Sequence, residues 1–287
     1  MIALLIARFT LLEALRRRVL LVIVLLSVAY LGLFTLGFSM LHQEVIKRAG
    51  DAPAPQANAM QMFSAIMTLL GFYALSFLAS LMALFASAGA ISGEVESGVI
   101  QAVLAKPVRR RDVVLGKWLG QALVITIYVV AMTGGMVAGS QIAAGYTPPQ
   151  PALAAAFMIW STLILLTLGT LGSTFLSTLT NGVAVFLLFG LSRVGGLIEF
   201  FGQLVRSNSM VDVGIIVSLI IPNDVLWQAA SYYLQPQAMI LAQNVTPGAV
   251  LPFASATPPS TAMLIWSAGY VLVALIGAIL IFGRRDL

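Results

Sequence analysis

Six stretches of this chain run apolar for more than twenty residues each, at 19–41, 63–91, 118–143, 153–179, 182–204 and 262–283. A helix needs roughly 20 apolar residues to cross the hydrocarbon core of a bilayer. A backbone in lipid must also satisfy its own hydrogen bonds, which leaves helices or a closed barrel. Blocks of this length therefore predict an all-α polytopic membrane protein with about six transmembrane helices. Composition agrees, because 60% of the residues are hydrophobic and only 9% are charged, against about 25% charged in soluble domains. We read residues 1–287 as a single transmembrane domain.

Two blocks depart from the simple pattern. The second is longer than a span needs, so it is expected to tilt or to emerge into water at its outer end. The fifth is interrupted by Arg193 and by Gly195-Gly196, where a bend is expected. A further run, 213–221, is nine residues long and stops at Pro222. It is too short to cross, and reads as a re-entrant or interfacial outer segment.

Basic residues set the orientation. With the N-terminus inside, 11 of the 15 Lys and Arg residues fall on the inner side, and only Lys47, Arg48 and Arg206 fall outside. This asymmetry is the positive-inside pattern and puts both termini in the cytoplasm. It also accounts for the net charge of +5 without nucleic acid. The basic cluster before the first block precedes a stretch too long for a secretory signal, and no cleavage site follows, so an uncleaved anchor is expected.

Between the blocks, three segments carry structure. Residues 1–18 place Ile2, Leu5, Ile6, Phe9 and Leu12 at helical spacing, with Glu13 and Arg17 four apart. They read as an amphipathic surface helix on anionic headgroups. Residues 92–117 form a cytoplasmic elbow, SGEVESGVIQAVLAKPVRRRDVVLGK. Ser92 is expected to cap a short helix with Glu94 and Glu96 in its first turn. Pro107 breaks that segment, Arg109, Arg110 and Arg111 make a basic corner, and Asp112 is expected to cap the next helix. The outer segment 201–261 carries Pro222-Asn223-Asp224 and the aromatic residues Trp227, Tyr232 and Tyr233, which read as an interfacial belt.

Chemistry is scarce. The chain has no cysteine, which excludes disulfides, thiolate metal sites and cysteine nucleophiles. No Walker loop, His-Glu-x-x-His helix or nucleophile elbow occurs. The single histidine, His42, reads as a surface residue. Arg193 and Glu199 are the ionisable residues expected within a span beyond the elbow. Six residues apart, they cannot pair along a straight helix. A charge in a span is a functional candidate, so both are candidate pathway-lining residues. Small pairs at Gly116 and Gly120, and at Gly135 and Gly139, suit close helix packing.

The elbow Glu94-Val95-Glu96-Ser97-Gly98-Val99-Ile100, then Leu104-Ala105-Lys106-Pro107-Val108-Arg109-Arg110 and Leu115-Gly116-Lys117, resembles the permeases of the ABC-2 transporter family. That family carries E-x-E-x-G-T-[LI], then L-x-x-P-[VI]-x-R, then G-K at the third span; here Val99 stands at the threonine. The ending Phe282-Gly283-Arg284-Arg285-Asp286-Leu287 is also similar. The resemblance implies a permease of the cell inner membrane, an exporter, with a second permease chain as homodimer and two copies of a separate ABC ATPase beneath. ATP and Mg would then be bound by the ATPase, with no cofactor and no catalytic residue in this chain. It implies that the elbow is a coupling helix, with Glu94, Glu96, Gly98, Pro107, Arg109, Arg110 and Arg111 as the ATPase-coupling residues. The alternative is a non-transport assembly factor or scaffold. A secondary transporter would show internal repeats and midplane charges.

Overall fold

The computed structural model describes residues 2–16, 18–49, 55–99, 108–245 and 251–285. Among them there are eleven α-helices and no strand. In chain order these are α1 (Ile2–Arg16), α2 (Arg18–Ala49), α3 (Pro55–Ala88), α4 (Ser92–Glu96), α5 (Arg110–Ala144) and α6 (Pro151–Ser173). They continue with α7 (Thr178–Val205), α8 (Asn208–Ile220), α9 (Asn223–Leu234), α10 (Gln237–Val245) and α11 (Thr261–Arg284). Six of them, α2, α3, α5, α6, α7 and α11, contain stretches long and apolar enough to cross a membrane. The protein is a multi-pass membrane protein.

Burial separates a core from a rim. In α3, 67% of the most apolar window is buried, against 17% in α2, 28% in α7 and 11% in α11. The core packs Leu69, Phe72 and Leu75 of α3 against Ile125 and Met136 of α5, Met158 and Leu165 of α6, and Trp227 of α9. Leu25 and Leu33 of α2, Leu187 of α7 and Ile265 and Val273 of α11 point outward, as lipid-facing residues do. Lipid gives no hydrophobic drive between spans, so close contacts and polar links must hold them. An added Cβ at Gly120 would lie 2.7 Å from the Ala7 carbonyl of α1, and one at Gly135 or Gly139 would strike Leu31 or Thr35 of α2. These glycines let α1 and α2 lie flush along α5.

Several expectations change. The fourth block ends at Ser173, and Thr178 already opens α7, so Leu179 belongs to the fifth span. Arg193 and Gly195-Gly196 do not break α7, which runs unbroken over 28 residues. The bend lies at residues 221–222 instead, where α8 and α9 meet at 102°. The nine-residue run thus grows into a 13-residue helix that turns back, because Pro222 cannot continue it. Trp227 is no surface belt residue: it is buried, and its Nε1 donates to the Phe253 carbonyl (2.8 Å). Tyr233 stacks on Phe157 of α6 at 5.6 Å between ring centres. His42 is half-buried edge-on to Phe38. Arg17, the partner expected for Glu13, lies outside the described residues.

Candidate functional site

The elbow follows α3 directly. Ile91, fully buried, is the N-cap of α4, and Ser92 is the first helical residue rather than the cap. The Ser92 hydroxyl instead donates to the Ala88 carbonyl (3.2 Å) and lies 2.9 Å from the Thr178 hydroxyl of α7. Gly98 closes α4 with φ 73°, and its N–H donates to the Val95 carbonyl (3.2 Å). Only glycine adopts that left-handed conformation without a Cβ penalty, so Gly98 has a conformational role. Pro107 lies outside the described residues.

Both elbow carboxylates have partners within the chain. Glu94 accepts from the Lys117 ammonium in α5, whose side chain is only 6% exposed. Burial without that partner would leave a costly lone charge. Glu96 accepts from the Thr178 backbone N–H (2.9 Å) through one oxygen and from the Thr178 hydroxyl (3.0 Å) through the other. A carboxylate at a free helix N-terminus satisfies an orphan N–H and the positive end of the dipole. Beside it, Asn181 donates to the carbonyls of Ala88 (2.9 Å) and Gly169 (2.8 Å), joining α7 to the ends of α3 and α6.

The basic corner divides its work. Arg110 donates to the carbonyls of Phe282 (3.1 Å) and Arg285 at the end of α11, with its guanidinium over the Phe282 ring. Arg285 in turn donates to the Thr174 carbonyl (2.7 Å) at the end of α6. Both place a cation on unsatisfied C-terminal carbonyls. Arg109 is the N-cap of α5 and is exposed, and Asp112, in the first turn, makes no cap bond. Asp112 lies 3.7 Å from Arg111, whose side chain is 56% exposed. Arg109, Arg111 and Val99 are exposed on the outward face of the elbow, as are Glu96, Ser97 and Gly98.

Mid-way along α7, Arg193 meets a partner the sequence reading missed. Its guanidinium donates to Asp224 Oδ1 (3.1 Å) in the first turn of α9 and to Ser76 Oγ (2.9 Å) in α3. It sits within 5.1–5.7 Å of the ring centres of Tyr73, Phe189 and Trp227. The pair is enclosed, with side chains 12% and 9% exposed. Gln228 donates to Asp224 Oδ2 (3.0 Å), and the Asp224 N–H donates to Ser192 Oγ (3.0 Å). Ser192 also donates to the Ile221 carbonyl (3.2 Å), and Ser161 of α6 donates to Asn223 Oδ1 (2.6 Å). Gly196 has no room for a Cβ because the Asp224 carboxylate fills that space. The signal for Asp224 was an acid in the first turn of a helix opened by Pro222, together with an arginine that needed a partner.

This pair lies between two spaces. On one side is a polar cavity of about 280 Å³, lined by Arg193, Glu199, Gln203, Gln228, Gln243 and Ser255 among others. On the other is an apolar groove of about 790 Å³ between α2, α3 and α7, lined by Leu33, Phe77, Phe186 and Phe189. Tyr73 and Arg193 line both. Glu199 accepts from Gln203 (3.4 Å), so the structure puts the two candidate pathway residues on one cavity without pairing them.

A comparison with curated proteins found no match. The family model described as ABC-2 family transporter protein matches residues 4–287, which takes in the elbow, every span and the α8–α9 corner. The chain belongs to the ABC-2 transporter family.

Proposed function

We propose that this chain is the permease subunit of an ABC exporter of the cell inner membrane, driven by a separate ATPase at the elbow end. In this reading the elbow and both termini are cytoplasmic, and ATP and Mg bind the ATPase. Two permease chains form a homodimer with two ATPase copies. The observation that carries the reading is a docking knob fastened to the spans. Arg109, Arg111 and Val99 face outward, while Glu94 and Glu96 tie the same segment to α5 and α7. Outward arginines suit an acidic groove on a partner, through charge-assisted hydrogen bonds.

The polar cavity and the apolar groove, meeting at Arg193, are the outer part of the pathway in this reading, with Glu199 on its wall. Support comes from their opposite chemistry on either side of one enclosed charge pair. The test is co-purification from native membranes. The chain should retrieve a Walker-containing ATPase, and Arg109→Glu with Arg111→Glu should reduce that retrieval about tenfold, the loss of one or two charge-assisted contacts. A folded, inserted chain that retrieves no such ATPase would favour the scaffold alternative.

A further inference from the structure

We infer that Glu96 is the residue through which the elbow moves α7, and that α7 carries that movement to the Arg193–Asp224 clasp farther along the helix. The inference rests on the coupling reading above and assigns Glu96 a role inside the chain instead of on the ATPase surface.

The two elbow carboxylates grip different helices. Glu94 holds the buried Lys117 of α5, a helix that packs into the core along α3, α6 and α1. Glu96 holds the first N–H of α7 with one oxygen and the Thr178 hydroxyl with the other. The elbow therefore bridges a more deeply packed helix and a less packed one, since α5 buries 44% of its apolar window and α7 buries 28%. Of the two gripped helices α7 has the larger lipid-facing share, and the core contacts that its shift must move are those of Asn181 to the ends of α3 and α6 and of Arg193 to Ser76 of α3.

An unbroken helix then delivers the displacement. Thr178 and Arg193 are 15 residues apart on α7, about 22 Å at 1.5 Å per residue. Gly195 and Gly196 do not hinge it; they seat Val217 and Asp224 against its surface. There Ser192 and Arg193 bind Ile221 and Asp224, the two sides of the 102° corner between α8 and α9. The corner's other anchor is Ser161 of the core helix α6, through Asn223. When α7 shifts, the corner must follow α7 or stay with α6. Either outcome changes the wall between groove and cavity. The corner is the element for which this coupling requires a second arrangement.

The chain has no cysteine, so two introduced ones carry the only labels. Spin labels at Ile142→Cys, near the end of α5, and Ile216→Cys, on α8, occupy exposed positions and report the corner against the core. The full permease with its ATPase is measured in lipid nanodiscs, nucleotide-free and trapped with ATP and vanadate. The expected result is a trapped-state shift in the Ile142–Ile216 distance. Glu96→Ala abolishes the shift and lowers transport per ATP about tenfold, the scale of a lost capping contact, while the ATPase still co-purifies. Glu96→Gln, which keeps an oxygen for the Thr178 N–H, retains the shift. Three results overturn the inference: a Glu96→Ala shift equal to the parent's, loss of the shift in Glu96→Gln, or loss of ATPase binding in Glu96→Ala. The last would make Glu96 a docking contact. Failure of the parent itself to bind an ATPase refutes the functional reading, and is seen before nucleotide is added.

Discussion

The enclosed Arg193–Asp224 pair makes a quantitative prediction whose size depends on which partner is removed. Asp224→Ala strands a guanidinium that is 12% exposed, and breaking a buried pair this way costs about 3–5 kcal/mol. The hydrogen bond to Ser76 and the three surrounding rings keep Arg193 in place without neutralising it. Arg193→Leu strands the carboxylate, but Gln228 and the α9 N-terminus still face it, so its cost falls near the lower limit, about 3 kcal/mol. The double variant leaves no charge, and replacement of a buried pair by apolar groups is often neutral. It should cost about 2 kcal/mol or less, mostly lost packing. The two single costs together therefore exceed the double by at least about 4 kcal/mol, a large coupling energy. Reversible unfolding of the four proteins in mixed detergent micelles measures each term. Single-variant costs that sum to the double within about 0.5 kcal/mol would refute the pairing.

Three further outcomes follow from named contacts. Lys117→Met should destabilise the chain by about 1–3 kcal/mol by stranding Glu94, which keeps some access to water, and Lys117→Met/Glu94→Gln should recover most of the loss in the same unfolding assay. Gly196→Ala should cost about 1–3 kcal/mol and displace α9 from α7, read as faster hydrogen exchange at the start of α9; exchange equal to the parent's would contradict the close approach at Asp224. Cysteines at Arg111 and Thr147, both exposed and at opposite ends of α5, should react with an impermeant reagent from opposite sides, Thr147→Cys in intact cells and Arg111→Cys only after lysis. Labelling of both from outside would reject the six-span orientation.

The legible parts of this protein are those set by a local window. Helix α11, for example, is a run of apolar residues whose crossing depends on its own length and composition, and its bounds fell within a residue of the expected block. The start of the short acidic helix before the basic corner was visible for the same reason, but its end at Glu96, followed by Gly98 at φ 73°, was not, because the break was expected at Pro107. The bend in the fifth span was misplaced because glycine permits a bend without requiring one. Only packing shows that Gly195 and Gly196 are spaces for Val217 and Asp224.

From the sequence alone follow the number of spans, their order, the expected orientation and the family, since each depends on residues adjacent in the chain. Tertiary structure alone decides what the charges do. Arg193 finds Asp224 31 residues away, Lys117 finds Glu94 across 23, and Glu96 finds Thr178 across 82. Helical spacing predicts partners only three or four residues apart. A partner on another helix is fixed by how deep each helix sits, where a glycine admits close approach, and which helix ends are left unsatisfied. Where water is excluded, as at Arg193, a charge is held by a group of opposite sign on another helix, while a helix end at the surface, as at Glu96, stays exposed.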